Sequence, residues 1–139
     1  MSSLHIFIQA AGVVLLIIAV ANWFVPAKLN YAENLARVSP IVHQVFVIHS
    51  FFIVLVVVAS GAACLFLASR LVAVDPLSKA VSGFFALFWS LRFVIQIYYV
   101  DRGFLREHLV GHIAYSLACA FLGLVFLGAF WQTLGLAQL

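Results

Sequence analysis

An arginine stands in the middle of an apolar run where no acidic side chain is available to it. Arg92 lies nine residues before Asp101, and no Asp or Glu occurs in the interior of any long apolar run of this chain. At 1.5 Å per helical residue it is about 13 Å from the nearest charged end of its run. That is close to the middle of an ~30 Å hydrocarbon core. A side chain on a helix leans toward the helix N-terminus, here away from Asp101, so snorkelling to the nearer interface is awkward. An arginine at this depth costs about 2.5–3.5 kcal/mol on insertion scales. Its planar fork of donors suits a carboxylate, a phosphate or a quinone oxygen.

Other polar side chains keep helical step with it. Trp89, Arg92, Gln96 and Tyr99 recur at offsets of 3, 4 and 3, and His108, His112, Tyr115 and Cys119 at offsets of 4, 3 and 4. Each set is one stripe of a helix and is expected to face the interior of a bundle. His43, Gln44 and His49 lie on a further run, with His49 about as deep as Arg92. His5 and Gln9 lie at the opposite end of the molecule and read as an interfacial pair.

Several chemistries fit these residue types. The His108-x-x-x-His112 spacing lets two imidazoles converge on one metal ion, with His43 or His49 as a third ligand. His43 and His49 are six apart and point in different directions, so they cannot both serve one ion. A b-type haem needs one histidine from each of two helices. His49 or His43 with His112 or His108 would supply them, with Arg92, Arg102 and Arg106 near the propionates. A quinone headgroup could instead be held by histidine, Gln96, Tyr99 and Arg92. Di-iron carboxylate chemistry is excluded, because it draws Glu from several helices. Zinc hydrolysis would have only Asp101 or Glu107, at the rim, as general base. Against all of these stands the ordinary use of membrane histidines as hydrogen-bonded helix contacts. A non-catalytic class also fits: an accessory subunit or a lipid or small-molecule carrier, with Arg92 holding a phospholipid headgroup or a partner's carboxylate.

The elements that must position these residues follow from composition. The chain has 139 residues, 67% hydrophobic and 8% charged, with a mean hydropathy of +1.24. Soluble domains run near 45–50% apolar and about 25% charged. So small a domain cannot bury this excess in its own core, and lipid must cover it. Four runs reach the roughly 20 residues a membrane helix requires: about 6–25, 41–69, 80–100 and 109–134. Every Pro, Asp and Glu falls in a connection or at a run's end. The first run carries an Ala19-Val20-Ala21 triplet but no Lys or Arg before it, so it reads as a span rather than a cleaved signal.

The expected fold is an all-α integral membrane protein, a single four-helix transmembrane domain with a short interfacial helix between the first two spans. That interfacial helix lies in the 26–40 connection. Leu29, Ala32 and Ala36 fall on one side of it, and Glu33 and Arg37 form an i,i+4 pair on another. Ser39-Pro40 reads as a cap and first turn. Trp23, Tyr31, Tyr98 and Tyr99 sit like interfacial belt aromatics. Ser60 to Cys64, and Ala114 with Ala118, mark close helix approaches. Cys64 and Cys119 read as buried free thiols, with no CxxC for zinc or CxxCH for covalent haem.

Both termini share one face, with Arg70 and Lys79. The opposite face carries Lys28, Arg37, Arg102 and Arg106, which by positive-inside counting makes it cytoplasmic and the termini non-cytoplasmic. The net charge of +3 belongs to these loops, and no basic stripe suggests nucleic acid. The sequence thus predicts a small redox-type protein of a bacterial inner membrane. Its partners are the lipid bilayer and either further copies of itself or a larger membrane complex. It shares its size and its intramembrane His and Arg with the four-span anchor subunits of quinone-linked dehydrogenases and with small haem-pathway oxidases. No site residue carries over from either.

Overall fold

The computed structural model describes residues 3–99, 103 and 108–135. Among these, four helices are long and apolar enough to cross a membrane. The first is α1 (Ser3–Lys28). Its apolar run carries it through Pro26 in the last turn, and it ends at Asn30, whose left-handed φ of 48° turns the chain. The single-turn helix α2 (Tyr31–Leu35) follows where the interfacial helix was expected. Tyr31 packs edge-on against Phe46 with ring centroids 5.2 Å apart. The Glu33–Arg37 pair is present at 4.0 Å, with both side chains largely in solvent.

The second span is α3 (Pro40–Phe66). Pro40 starts it as expected, but the Ser39 side chain makes no capping hydrogen bond. The span also ends earlier than its apolar run. Leu67 leaves helical geometry, and a four-residue turn, α4 (Ala68–Leu71), closes the corner. The third span, α5 (Pro76–Tyr98), begins before its apolar run does. Asp75 accepts the Ser78 N–H at 2.9 Å and Pro76 occupies the first turn, so the helix starts through polar Ser78 and Lys79. The fourth span is α6 (Leu109–Thr133).

Two antiparallel hairpins make the bundle. α1 lies along α3, α5 lies along α6, and α1 against α6 joins the two. The core gathers Ile8, Ala11, Leu15 and Ile18 of α1, Val57 and Cys64 of α3, Ala86 and Trp89 of α5, and Cys119, Leu122, Phe126 and Ala129 of α6. These positions crowd toward the face that carries the α3–α5 corner. Toward the opposite face the helices pack less: no residue of α3 before Val57 is buried. The α1–α3 crossing is set by two glycines. A Cβ on Gly12 would sit 2.9 Å from the Gly61 carbonyl oxygen, and one on Gly61 would sit 3.1 Å from that of Gly12. The backbones therefore touch, as small residues permit in membranes. Cys64 and Cys119 are both buried free thiols, as expected.

At the corner, polar groups are met inside the protein, as lipid requires. The Ser82 hydroxyl donates to the Leu71 carbonyl at 2.6 Å. The Ser78 hydroxyl lies 2.5 Å from the Arg70 carbonyl and 2.6 Å from an Asp75 carboxylate oxygen, sharing its proton between them.

Candidate functional site

Antiparallel packing of α5 on α6 brings the two expected stripes together as rungs of a ladder. Gly123 of α6 admits α5 closely: a Cβ there would stand 3.3 Å from the Ser90 hydroxyl. This approach seats Trp89, only 3% exposed, as the floor one turn below Arg92. The first rung is Arg92 against Tyr115, with the guanidinium carbon 5.1 Å from the ring centroid. A cation over an aromatic face is attracted by about 0.5–2 kcal/mol, more when desolvated. The same charge acts on the Tyr115 hydroxyl and the Cys119 thiol.

The second rung is Gln96 against His112, with Gln96 Nε2 2.9 Å from His112 Nδ1. An amide nitrogen can only donate, so Nδ1 accepts and the ring proton resides on Nε2. His112 thereby keeps one N–H donor to offer elsewhere. The Ser116 hydroxyl returns to the His112 carbonyl at 2.8 Å and leaves the imidazole alone. Arg92, Gln96, His112 and Tyr115 are all half-buried.

Among the described residues the ion pair is Glu33 with Arg37, and Arg92 meets no carboxylate. Its nearest expected partner, Asp101, lies outside the described residues, as do Arg102, Arg106 and Glu107. The ladder thus offers guanidinium N–H and imidazole N–H, the Tyr115 hydroxyl being engaged with Arg92 and Cys119. Such a set takes a hydrogen-bond acceptor, neutral or anionic.

Other expected site residues stand elsewhere. Tyr99 caps the end of α5 and is 88% exposed, beyond the ladder. His43 and His49 are on the exposed half of α3, and α3 packs on α1 rather than on α5 or α6. Depth matching therefore placed His49 level with Arg92 but on the wrong side of α1. The trio of His108 and His112 with His43 or His49 is not assembled, and neither is a pair of haem-ligating histidines across α3 and α6. Among the described residues no group of three or more His, Cys, Asp or Glu converges as metal ligands. His108 is half-buried before the first turn of α6, and its carbonyl accepts the His112 N–H at 3.0 Å.

Gln9 reaches across to the Leu65 carbonyl at 3.5 Å, bridging α1 and α3 instead of pairing with His5. Tyr115 is a ladder member that spacing alone had placed on the stripe without a role. Gly123, which admits α5, carries no signal in a single apolar run. Comparison with protein-family models, curated proteins and solved structures finds no match.

Proposed function

We propose that the Arg92–Tyr115 and Gln96–His112 rungs bind the carbonyl headgroup of a quinone-type ligand entering from the bilayer, and that the chain is a small redox-type membrane subunit. The observation that carries this reading is the Gln96–His112 hydrogen bond. It makes His112 an Nε2–H donor one rung from a guanidinium that meets no carboxylate among the described residues, which suits an acceptor oxygen better than a metal ion. Tyr115 holds Arg92 over its face, and Trp89 closes the bottom against aliphatic chains. Quinone reduction takes two electrons and two protons. His112 and Tyr115 are proton-bearing groups beside the headgroup, and the electrons come from a redox partner in the same membrane. On this reading the face with Lys28 and Arg37 is cytoplasmic, in a bacterial inner membrane.

The test is retention. The full chain is purified gently from its native membrane as wild type and as Arg92→Leu, and bound small molecules are extracted and identified by mass spectrometry. A quinone in the wild type that is lost in Arg92→Leu supports the reading. An anionic phospholipid lost in its place supports a lipid-holding accessory subunit. A Soret band or stoichiometric metal in the same preparations, surviving Arg92→Leu but not His112→Ala, would return the site to haem or metal.

A further inference from the structure

Three helices leave the buried core in the same way. Toward the face that carries Lys28 and Arg37, the outermost buried residue is Ala19 on α1, Trp89 on α5 and Ser116 on α6. About one turn further out stand Asn22, Arg92 and His112, each half-buried. Arg92 and His112 belong to the ladder. Asn22 is on the other hairpin.

Asn22 lies on the side of α1 that meets α6. A Cβ on Gly128 of α6 would sit 3.6 Å from Leu4, which places Leu4 on that side. Asn22 follows Leu4 by eighteen residues, five whole helical turns, so the two share one line along α1. Ile8, Ala11, Leu15 and Ile18 fill the line between them and are at most 6% exposed. A different line meets α3: Gln9 reaches Leu65, Gly12 meets Gly61, and Leu16, Val20 and Trp23 line a groove with Val54 and Val58. Five turns back along antiparallel α6 from Gly128 lies Val110, less than one turn from His112. Asn22 is therefore level with the Gln96–His112 rung. It is also short of partners twice over. Its side-chain amide makes no hydrogen bond among the described residues. Pro26, four residues on in the same helix, has no N–H to return to the Asn22 carbonyl. Hydrocarbon offers such groups nothing, so they are met within the protein or in a cavity that it lines.

We propose that Asn22 is the α1 wall of the ladder's site and holds a second oxygen of the ligand. The role rests on quinone binding at the ladder and narrows the ligand further. The two carbonyls of a 1,4-quinone stand on opposite edges of one ring. One meets His112 and Arg92, and the other turns to the facing hairpin, where the Asn22 Nδ2–H donates to it. In the quinol form the hydroxyl at that edge donates to the Asn22 Oδ1 instead, because an amide carries both a donor and an acceptor. Asn22 thus selects a headgroup with two opposed oxygens over one with a single carbonyl.

The test is equilibrium binding to the full chain in lipid nanodiscs, corrected for uptake by empty nanodiscs. A radiolabelled short-chain 1,4-benzoquinone is titrated first, and a matched cyclohexadienone with one carbonyl then competes against it. Wild type should prefer the quinone. Asn22→Leu should weaken the quinone about three- to tenfold and leave the dienone unchanged, and Asn22→Ala, which adds no bulk, should do the same. Native Cys64 and Cys119 are fully buried, so they stay unlabelled by maleimide in a variant that keeps the fold. Equal weakening of both ligands in both variants marks a general disturbance of α1 and overturns the proposal. Quinone affinity unchanged in Asn22→Leu but lost in Arg92→Leu also overturns it, while leaving quinone binding at the ladder intact. Binding that does not saturate in wild type overturns both.

Discussion

A guanidinium without a carboxylate is an expensive thing to keep in a membrane, and at Arg92 the compensation within the described residues is a tyrosine face. That imbalance separates stability from binding. Replacing Arg92 with Leu removes a group worth about 2.5–3.5 kcal/mol of unfavourable insertion energy. The variant should therefore be as thermostable as wild type or more so, while losing its ligand. A large fall in its unfolding temperature in detergent would mean that Arg92 is a structural strut. His112 offers a second test at this scale. With Nδ1 engaged by Gln96, nitrogen-15 NMR should show the Nε2–H tautomer, and Gln96→Leu should release a mixture of tautomers. A dominant Nδ1–H form in wild type would break the ladder's logic. That the Arg92–Gln96 stripe and the His112–Tyr115 stripe lie on adjacent antiparallel helices was legible in the sequence from their three-and-four spacings, but which residue meets which was not. Tyr99 obeyed the same spacing yet misled, since the helix ends one residue before it and its ring is left in the open.

Elements here are held by contacts that leave little trace in composition. Gly12 is one glycine in an apolar run, and nothing in the run says that another backbone touches it. With the Gly61 carbonyl oxygen 2.9 Å from a modest Cβ, Gly12→Val should force α1 from α3 and destabilise by about 1–3 kcal/mol, as overpacking does. Gly83→Ala should be milder, because the atom in its way is the Phe130 ring, a side chain that can swing. Unfolding of both variants in mixed micelles compares them. The start of α5 has its own signature in pH. Hydrogen bonds from the Ser78 hydroxyl and then the Ser78 N–H hold the Asp75 carboxyl below its ordinary range. A carboxylate depressed in the folded state contributes stability above its unfolded value, near 3.9, and loses it as pH falls through the folded one. Hydrogen exchange at 76–82 should therefore quicken below about pH 4 in wild type and change little with acid in Asp75→Asn. Equal acid sensitivity in both would remove Asp75 from its capping role.

At the scale of the whole molecule, the four spans could be read directly, because apolar length and the confinement of Pro, Asp and Glu to connections admit few other solutions. The neighbours of each span could not. In water an amphipathic stripe tells which face is buried, but in lipid both faces are apolar, and α3 is as hydrophobic outside as inside. Only the order of packing, with α3 on α1 and α5 on α6, shows that His49 and Arg92 share a depth without sharing a site. The same order leaves the ladder on the α5–α6 hairpin and His49 on the α1–α3 hairpin, so His49→Leu should leave ligand retention unchanged.

The most direct measurement is a titration of the full chain in lipid nanodiscs with a short-chain quinone. Trp23→Phe and Trp131→Phe leave Trp89, the floor of the ladder, as the single tryptophan. Saturable quenching of its fluorescence, weakened at least tenfold by either Arg92→Leu or His112→Leu, is the result this account requires. Quenching that rises without saturation, or that is the same in all three proteins, would contradict it.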